Sequence, residues 1–584
     1  MKRKPPPTRA PGEQSRDYAL SRKTGLASHP RDFDWFTASV PCQAACPAGT
    51  DIPGYLEAIA RGDYQAAYRI NLADNVFPAV LGRVCTRPCE PACRHGRPGL
   101  GEPVAICFAK RSSDDFMTRQ DPVVLPPLFP DTGRRVAVIG SGPAGLAAAR
   151  DLRRLGHAVT VFEREAKPGG LMTHGIPAFR LPRDVVEREI AQVAAAGVEI
   201  RCGVAVGVDI PLEQLRREHD ALLIAAGCTR PAWPDLPGLD IRGVEHGLDF
   251  LRRVNGGDTS AAGPRVVVIG GGFTAVDCAR MARRLGASEV SMVYRRTESE
   301  MYVGAHELAE FHREGVTARF QLAPVEILAR DGAICGVRFA RTTPGNPGPD
   351  GRRTWSAVPG DEIVLECDLL LMATGQKREA AWAGAIAASE PGVFVAGDVR
   401  TGPLSLIEAV GDGRKAARDI DTFLMGAPRL KPVLRIQNTG RPGTGRPREL
   451  NAIPRQPVRE LPAEQRGLLD EVEGGLGEPD ARTEASRCYL CNIKFEIDNE
   501  LCIYCDRCLK VTPVDGCIVK VSSLVYDGQD RVTGHIKSTA AHDYRRLYLD
   551  PSLCIRCGAC VEVCPVDCIT VQKVEHILQP TALR

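Results

Sequence analysis

Cysteine is the residue whose number and spacing in this sequence most directly predict chemistry. The chain has 584 residues and 22 cysteines, and seventeen of the cysteines lie in two end segments, 42 to 107 and 488 to 568. The others stand alone in the middle of the chain, where a cysteine is usually a small buried hydrophobic residue. These are Cys202, Cys228, Cys278, Cys335 and Cys367. The two end groups predict metal or iron–sulfur sites.

The cellular setting expected for this chain argues against disulfides. No segment resembles a signal peptide and no run of about 18 apolar residues occurs, so we expect a cytoplasmic protein that does not enter the membrane. Thiols stay reduced in that compartment. The formal net charge of +3 also argues against a nucleic-acid partner, because such proteins carry a strongly basic face.

The C-terminal group contains the cysteine run of two-cluster ferredoxins twice. The segment "CIRCGACVEVCP", starting at residue 554, follows the whole C-x2-C-x2-C-x3-C-P pattern, and "CIYCDRC", starting at residue 502, follows it through the first three cysteines. Three cysteines of each run bind one cluster in such proteins, and the fourth binds the other cluster. The first predicted cluster therefore uses Cys502, Cys505, Cys508 and Cys564.

The second predicted cluster has three regular ligands, Cys554, Cys557 and Cys560. Its crossing ligand is expected at residue 512, where threonine stands, and Cys517 follows five positions later. Either Cys517 is the fourth ligand, because Gly516 loosens the turn before it, or the centre is a three-iron or incompletely ligated cluster. Cys568 has no predicted role, and the segment 518 to 550 predicts an inserted hairpin that shapes a partner contact.

Five cysteines near the N-terminus are also spaced like metal ligands. Cys42 and Cys46 form a C-x3-C-P pair, and Cys85, Cys89 and Cys93 form a C-x3-C-x3-C run. A structural zinc site could use such ligands. Iron–sulfur clusters fit better, because the same chain contains ferredoxin runs and two dinucleotide-binding motifs.

The first of these motifs is "RRVAVIGSGPAGLAAARDLRRLGHAVTVFERE", which predicts a strand, a glycine turn, a helix and a second strand. The glycines of such a turn let backbone N–H groups and the helix start approach a pyrophosphate, and an acid after the second strand suits a ribose hydroxyl. The residues in these positions are Gly140, Gly142, Gly145 and Glu163.

The second motif predicts a site for NADP(H) rather than NAD(H). Gly270, Gly272 and Ala275 fill the three turn positions. Arg295 and Arg296 stand where an acid would bind an unphosphorylated ribose, and arginine there suits a 2′-phosphate. The alternative is that both arginines are ordinary surface residues.

The order of these motifs resembles that of flavoproteins with two dinucleotide-binding domains, in which the NADP domain interrupts the FAD domain. The resemblance rests on "CDLLLMATGQ" and "GVFVAGDVRTGPLSLIEAV" after the second motif. It implies that Gly397 and Asp398 contact the ribityl and phosphate region of FAD, and that Gly170 and Leu171, with 175 to 182, line the flavin pocket. Residues 130 to 425 contain no Cys-x-x-Cys pair, so a disulfide mechanism of the thioredoxin-reductase kind is not expected.

The segments "CPAGTDIPGYL", "GRVC" and "EPVAI" carry a closer resemblance, over residues 40 to 425. They are similar to the small subunit of NADPH-dependent glutamate synthase and to the N-terminal half of dihydropyrimidine dehydrogenase. That family holds two [4Fe–4S] clusters in a helical domain, and one of them uses an E-A-x-R-C-x-x-C segment placed before the other cysteines.

That segment is missing before Cys42, yet "EASRCYLC" occurs at 484 to 491. We therefore hypothesise a transposition, in which Cys488 and Cys491 fold back to join Cys42 and Cys93 around one cluster.

The other N-terminal cluster would use Cys46, Cys85 and Cys89. The family supplies a non-cysteine fourth ligand at a position near Lys110, and lysine is a poor iron ligand. Cys107, one helical turn earlier, is the substitute candidate, and a buried structural cysteine is the alternative.

The motifs together predict a multidomain chain with a helical iron–sulfur domain, two interleaved Rossmann-like α/β domains and a C-terminal α+β ferredoxin-like domain. The expected domains are a basic tail (1–40), the helical domain (41–128), the first segment of the FAD domain (129–260), the NADP domain (261–380), the second segment of the FAD domain (381–425), a linker (426–484) and the ferredoxin-like domain (485–584).

Nicotinamide exchanges two electrons as hydride, iron–sulfur clusters exchange one, and FAD can do both. We expect an NADP(H)-linked FAD and iron–sulfur oxidoreductase with four [4Fe–4S] clusters. It would exchange electrons with ferredoxin or with a partner subunit, for example of a 2-oxoacid:ferredoxin oxidoreductase. The alternatives are a glutamate synthase small subunit, against which the ferredoxin domain counts, and an assembly or scaffold protein.

Overall fold

The computed structural model of this protein describes residues 33–118, 122–301, 303–348, 353–382, 390–439, 452–526, 532–539 and 546–581. Most of the predicted basic tail, and residues 527 to 530 of the turn in the predicted hairpin, lie outside these ranges. The chain folds into two units. Unit 1 combines the described residues of 1–120, 425–458 and 475–584, and unit 2 those of 121–424 and 459–474.

Six short helices form the N-terminal region of unit 1. Capping explains where two of them begin, because the Asp51 carboxylate accepts a hydrogen bond from the Gly54 amide at 3.0 Å and Asp63 accepts one from Ala66 at 2.9 Å. The helices are α1 (Phe33–Ser39), α2 (Pro41–Ala44), α3 (Ile52–Ala60), α4 (Tyr64–Asn75), α5 (Pro78–Val84) and α6 (Ile106–Asp115).

Two inner strands of the first sheet of unit 2, Arg135–Ile139 and Ala221–Ile224, are buried except for Arg135, as in a parallel sheet covered on both faces. The elements are β1 (Arg135–Ile139), α7 (Pro143–Arg154), β2 (Ala158–Glu163), α8 (Leu171–His174), α9 (Arg183–Ala195), β3 (Glu199–Cys202), α10 (Leu212–Glu218), β4 (Ala221–Ile224) and β5 (Arg230–Pro231).

A second parallel sheet, in the order β6-β13-β7-β8-β9, follows in unit 2. The chain between β9 and β13 forms a separate antiparallel sheet in the order β10-β11-β12. Strand β6 lies before the boundary expected at residue 261. The elements are β6 (Val244–His246), α11 (Gly247–Asn255), β7 (Arg265–Ile269), α12 (Phe273–Arg284), β8 (Glu289–Tyr294), α13 (Ala305–Arg313), β9 (Thr317–Phe320), β10 (Leu322–Arg330), β11 (Ala333–Pro347), β12 (Arg353–Glu366) and β13 (Leu369–Met372).

The chain then returns to the first sheet. Strand β14 (Gln376–Lys377) pairs with β5, and β15 (Val393–Val395) pairs in parallel with β4. The first sheet thus has the order β15-β4-β1-β2-β3. Four of its strands precede the second sheet in the sequence, and β15 follows it. Helices α14 (Asp398–Thr401) and α15 (Leu406–Met425) follow.

Two three-stranded sheets in unit 1 follow, in the orders β16-β23-β19 and β21-β20-β22, and a separate two-stranded sheet pairs β17 with β18. Strand β16 falls within the segment expected to be a linker. The elements are β16 (Leu430–Asn438), β17 (Arg459–Glu460), β18 (Glu473–Gly475), α16 (Glu478–Ser486), β19 (Ile493–Ile497), α17 (Arg507–Val511), β20 (Ile518–Tyr526), β21 (Val532–Lys537), β22 (Arg546–Leu549), α18 (Ala559–Glu562) and β23 (Ile569–Pro580). Among the described helices, none is long and apolar enough to cross a membrane.

Residues 459–474, called the strap below, belong to unit 2 although both flanking segments belong to unit 1. The Arg466 guanidinium pairs with Glu310 at 2.7 Å and with Glu314 at 2.8 Å, and all three side chains are buried. Burial opposes ionisation of Glu314, yet hydrogen bonds from Arg284 and Arg280 lower its pKa to about 2. The strap is therefore fixed to unit 2 by a buried ionic network.

Candidate cofactor sites

The turn after β1 is shaped to receive a pyrophosphate. Gly140 has a φ of 102°, and a Cβ there would stand 2.6 Å from the Ala225 carbonyl oxygen. Gly142 is the N-cap residue of α7 and borders open space, while Gly145 is buried in the first turn of that helix. The N–H groups at the helix start are thus accessible to an anion, and the turn fits the predicted dinucleotide.

Glu163, at the end of β2, holds this turn in place. Its carboxylate accepts hydrogen bonds from the Ser141 amide at 2.9 Å, the Ser141 hydroxyl at 2.5 Å and the Glu165 amide at 2.9 Å. The Ser141 hydroxyl in turn accepts one from the Gly169 amide at 3.0 Å. The contact of Glu163 with a ribose stays a prediction, and its observed bonds organise the glycine turn.

The other predicted flavin residues gather around the same turn. Gly170 precedes α8, which begins at Leu171, and a Cβ on Gly170 would stand 2.9 Å from the Cα of Gly142. The Gly397 amide donates to the Asp412 carboxylate at 2.7 Å. Burial raises the pKa of Asp398, at the start of α14, to about 6. Three separate chain segments thus meet where the predicted FAD would lie.

The turn after β7 repeats the first one. Gly270 has a φ of 154°, and a Cβ there would stand 2.5 Å from the Ala373 carbonyl oxygen. Gly272 is the N-cap residue of α12, which begins at Phe273, and Ala275 is fully buried in that helix. Unit 2 therefore holds two glycine turns of the same construction, each before a helix of twelve residues.

Arg295 and Arg296 follow β8 directly and contact the inserted antiparallel sheet. The Arg295 guanidinium lies over the ring of Trp355, 5.4 Å from its centroid, and the Arg296 Nε donates to the Arg353 carbonyl at 3.0 Å. Trp355 and Arg353 lie on β12 and were not predicted from the sequence. No spacing rule links these two residues to β8, because the chain returns to it only after a long insertion, with Arg353 57 residues after Arg296.

Four cysteines from distant regions of the chain line one cavity in unit 1, which we call the composite cage. They are Cys42, Cys93, Cys488 and Cys491, and the empty volume is about 360 Å³. Burial, followed by the neighbouring thiols of Cys491, Cys488 and Cys93, raises the pKa of Cys42. This is the grouping that the transposition hypothesis requires.

The residues before Cys488 explain how the segment is held. Glu484 and Arg487 are almost fully buried and form an ion pair at 2.6 Å. Glu484 also accepts a hydrogen bond from the Ala105 amide at 2.7 Å, and Arg487 donates to the Glu102 carbonyl at 2.8 Å. The glutamate and arginine of the E-A-x-R pattern thus fix the C-terminal segment to the loop before α6.

A second group, the helical cage, consists of Cys46, Cys85, Cys89 and Cys107. Cys107, on α6, is hydrogen-bonded with both Cys85 and Cys89. Burial opposes the charge of Lys110, yet the four thiols raise its pKa. The structure therefore gives Cys107 the position of a fourth ligand and Lys110 that of a nearby positive charge.

The first ferredoxin cage, Cys502, Cys505, Cys508 and Cys564, contains an additional thiol. The Sγ of Cys568 lies 3.5 Å from that of Cys564, and Cys568 is also hydrogen-bonded with Cys502. Sequence reasoning missed Cys568 as a member of this cage, because it lies outside the ferredoxin spacing.

The second ferredoxin cage consists of Cys517, Cys554, Cys557 and Cys560, which line a cavity with an empty volume of about 330 Å³. Cys517 is hydrogen-bonded with Cys554. Thr512 lines the same cavity, but its hydroxyl donates to the Cys508 carbonyl at 2.6 Å. The arrangement supports Cys517 as the fourth ligand.

All four cages share one backbone device. In each, the residue two positions after a cysteine has a positive φ, and in three of the cages its amide donates a hydrogen bond to that cysteine's sulfur at 3.4 Å. Non-glycine residues rarely adopt this conformation, and residues in such strained conformations cluster at functional sites. The pairs are Cys85 with Arg87, Cys488 with Leu490, Cys502 with Tyr504 and Cys554 with Arg556.

The donor sets of the cages fit iron–sulfur clusters, because they consist of cysteine sulfurs, which bind iron as thiolates, and backbone amides donate hydrogen bonds to three of these sulfurs. Within the described ranges, no three His, Cys, Asp or Glu side chains are grouped so as to hold a single metal ion.

Replacing Cys517 by alanine is expected to lower the iron content by about one to four atoms per FAD, since a cubane cluster that loses one thiolate loses one iron or all four. Iron and flavin assays of anaerobic protein measure this, with Thr512→Ala as the control that keeps all its iron. Equal iron content in the two variants would show that Cys517 is not the fourth ligand of this cage.

These sites define a class of protein: a pyridine-nucleotide flavoprotein fold joined to iron–sulfur domains. Three family models match the chain: pyridine nucleotide-disulphide oxidoreductase at residues 134–413, dihydropyrimidine dehydrogenase domain II with a 4Fe-4S cluster at 36–121, and a 4Fe-4S binding domain at 547–570. The first of these models is named for a disulfide, but the five cysteines of unit 2 form no disulfide with one another and are free thiols.

Three relatives match the chain over two thirds of its length or more. The NADP(+)-dependent formate dehydrogenase subunit beta of Moorella thermoacetica is 36% identical over 78% of this chain and 70% of its own length. The NADPH-Fe(3+) oxidoreductase subunit beta of Geobacter sulfurreducens is 33% identical over 82% of this chain and 79% of its own. The glutamate synthase [NADPH] small chain of Mycobacterium tuberculosis is 36% identical over 67% of this chain and 86% of its own.

The chain belongs to the family of NADPH-dependent FAD and iron–sulfur oxidoreductases that includes the glutamate synthase small subunits. The predicted family, the enzyme class and the cofactors FAD, NADP(H) and [4Fe–4S] clusters are thereby confirmed.

Proposed function

We propose that this chain is the NADP(H)-linked electron-transfer subunit of a larger oxidoreductase and carries four [4Fe–4S] clusters. The observation that carries the proposal is the positive-φ residue repeated two positions after a cysteine in four groups of cysteines of unit 1, together with the two glycine turns of unit 2. FAD, when bound, supplies the change between two-electron and one-electron chemistry. The chain itself positions the nucleotides and holds the clusters.

The share of the chain that each relative covers favours one kind of partner. The glutamate synthase small chain aligns with 67% of this chain, whereas the two beta subunits align with 78% and 82%. A glutamate synthase small subunit would leave the cysteines of the ferredoxin cages without a use. The names of the beta subunits favour a formate-oxidising or metal-reducing partner over the 2-oxoacid enzyme suggested by the sequence, and over free ferredoxin.

The test is reduction of the anaerobic holoprotein by NADPH. We expect NADPH to bleach the flavin absorbance and then to reduce methyl viologen, a one-electron acceptor, with NADH much less effective. A scaffold protein would show neither reaction, so a flavin that NADPH leaves oxidised, or a protein isolated without FAD, refutes the proposal.

The partner is identified by purifying the tagged chain anaerobically from its native host and assaying NADP⁺ reduction. Formate-dependent reduction of NADP⁺ by the purified complex supports a formate-oxidising partner. Reduction of NADP⁺ that requires a 2-oxoacid assigns the chain to a 2-oxoacid oxidoreductase. Oxidation of NADPH that requires glutamine and 2-oxoglutarate assigns it to a glutamate synthase.

A further inference from the structure

Two buried arginines of unit 1, Arg94 and Arg556, lie between the composite cage and the second ferredoxin cage. Each side chain is 3% exposed. Arg94 follows Cys93 of the composite cage, and Arg556 lies between Cys554 and Cys557 of the second ferredoxin cage.

Their hydrogen bonds place the two guanidiniums side by side. Arg94 donates to the Pro551 carbonyl at 2.6 Å, and Arg556 donates to the same oxygen at 3.0 Å. Both also reach Cys491, because Arg94 approaches its Sγ at 4.0 Å and Arg556 donates to its carbonyl at 3.3 Å. Arg556 donates in addition to the Cys554 carbonyl. The pair thus touches ligand residues of both cages.

Among the described residues, neither guanidinium forms an ion pair with a carboxylate, and their acceptors are backbone carbonyls and one sulfur. Elsewhere this chain provides such partners, since Arg487 pairs with Glu484 at 2.6 Å and Arg466 with Glu310 at 2.7 Å. Buried charges are normally paired, and two adjacent like charges without a counter-ion are costly. The site therefore requires negative charge from the two cages that flank it, and their cysteines supply it as thiolates when they ligate a cluster.

We propose that Arg94 and Arg556 form a shared counter-charge for the clusters held by the composite cage and the second ferredoxin cage, and that they raise the reduction potentials of both clusters. The inference rests on the proposed function, because it requires both cages to hold clusters. A thiolate-ligated cluster is an anion, and reduction adds one more negative charge. A nearby cation in a low-dielectric interior stabilises the reduced form more than the oxidised form.

The test compares three single variants of the holoprotein. Arg94→Gln removes the charge and keeps a hydrogen-bond donor, and Arg94→Lys keeps the charge. Arg97→Gln is the matched control, because Arg97 joins the same two segments through the Ser552 carbonyl at 2.8 Å but is exposed to solvent. Solvent screens its charge.

Anaerobic redox titration followed by electron paramagnetic resonance gives the potential of each reduced cluster. The signal of the composite cage is the one that the Cys488→Ala/Cys491→Ala protein lacks. For Arg94→Gln we expect about a tenfold smaller equilibrium constant for reduction of that cluster, which for one electron is a shift of about 59 mV to lower potential. Arg94→Lys and Arg97→Gln should stay near the wild type.

The outcomes separate this inference from the proposed function. Wild-type protein without four clusters refutes the proposed function and this inference with it. Four clusters with unchanged potentials in Arg94→Gln refute the counter-charge alone. If Arg94→Gln loses the cluster and Arg94→Lys retains it, the charge is required and the inference stands. Loss in both variants shows that the forked shape of arginine is needed instead, and overturns it.

Discussion

Replacing Cys488 and Cys491 by alanine together is expected to remove about four of about sixteen iron atoms per FAD, the content of one of four cubane clusters. The two thiols supply half of the composite cage, and the remaining Cys42 and Cys93 cannot hold a cluster with four iron atoms. Iron and flavin assays on anaerobic protein measure the loss. NADPH should still bleach the flavin, because both glycine turns lie in unit 2.

A matched control replaces two cysteines that are outside every cage, Cys202 and Cys335, both of them partly exposed thiols of unit 2. That double variant should keep all its iron. If Cys488→Ala/Cys491→Ala also keeps all its iron, the transposed segment does not bind a cluster, and the E-A-x-R pattern has only the structural role of fixing this segment.

Replacing Arg295 and Arg296 by alanine is expected to abolish the preference for NADPH. Each charge-assisted hydrogen bond to the 2′-phosphate should contribute about 1.5 kcal/mol, so the two together correspond to about a 100-fold loss of kcat/KM for NADPH. The activity with NADH should change little, because NADH has no 2′-phosphate. Stopped-flow reduction of the flavin by each nucleotide measures both values.

The control for this prediction is Arg319→Ala, an exposed arginine on the neighbouring strand β9 whose Nε lies 3.4 Å from the Ser291 hydroxyl. It removes a positive charge from the same sheet without touching the segment after β8. A comparable loss in this variant would show that NADPH responds to the overall charge of the domain and not to a phosphate site.

The regions of the molecule that could be predicted from sequence are those governed by short-range rules. Glycine turns between a strand and a helix depend on local backbone geometry, and the ferredoxin runs depend on fixed ligand spacing, so both were found from a few residues. The joining of "EASRCYLC" to Cys42 and Cys93 could be proposed only because the resemblance showed that a segment was missing.

Other residues of the sites had no local signal. Cys568 enters the first ferredoxin cage because β23 begins immediately after it, and Trp355 meets Arg295 because a long antiparallel insertion folds back. Arg94 and Arg556 have no distinguishing pattern in the sequence, and their shared contacts with Pro551 and Cys491 show that they are neighbours. Contacts of this kind depend on tertiary packing, which a spacing rule does not contain.

The composite cage also has a consequence for how the protein is made. The contact between Arg94 and Cys491 spans 397 residues, whereas the helical cage has its four cysteines once residue 107 has been synthesised. Domains fold largely in the order in which they leave the ribosome. The nascent helical domain therefore emerges with all four thiols of the helical cage but only two of the composite cage, Cys42 and Cys93. The other two, Cys488 and Cys491, are synthesised almost 400 residues later. If the composite cage binds a cluster as proposed, translation itself sets the order of assembly, because iron can enter this cage only after the ribosome has passed residue 491.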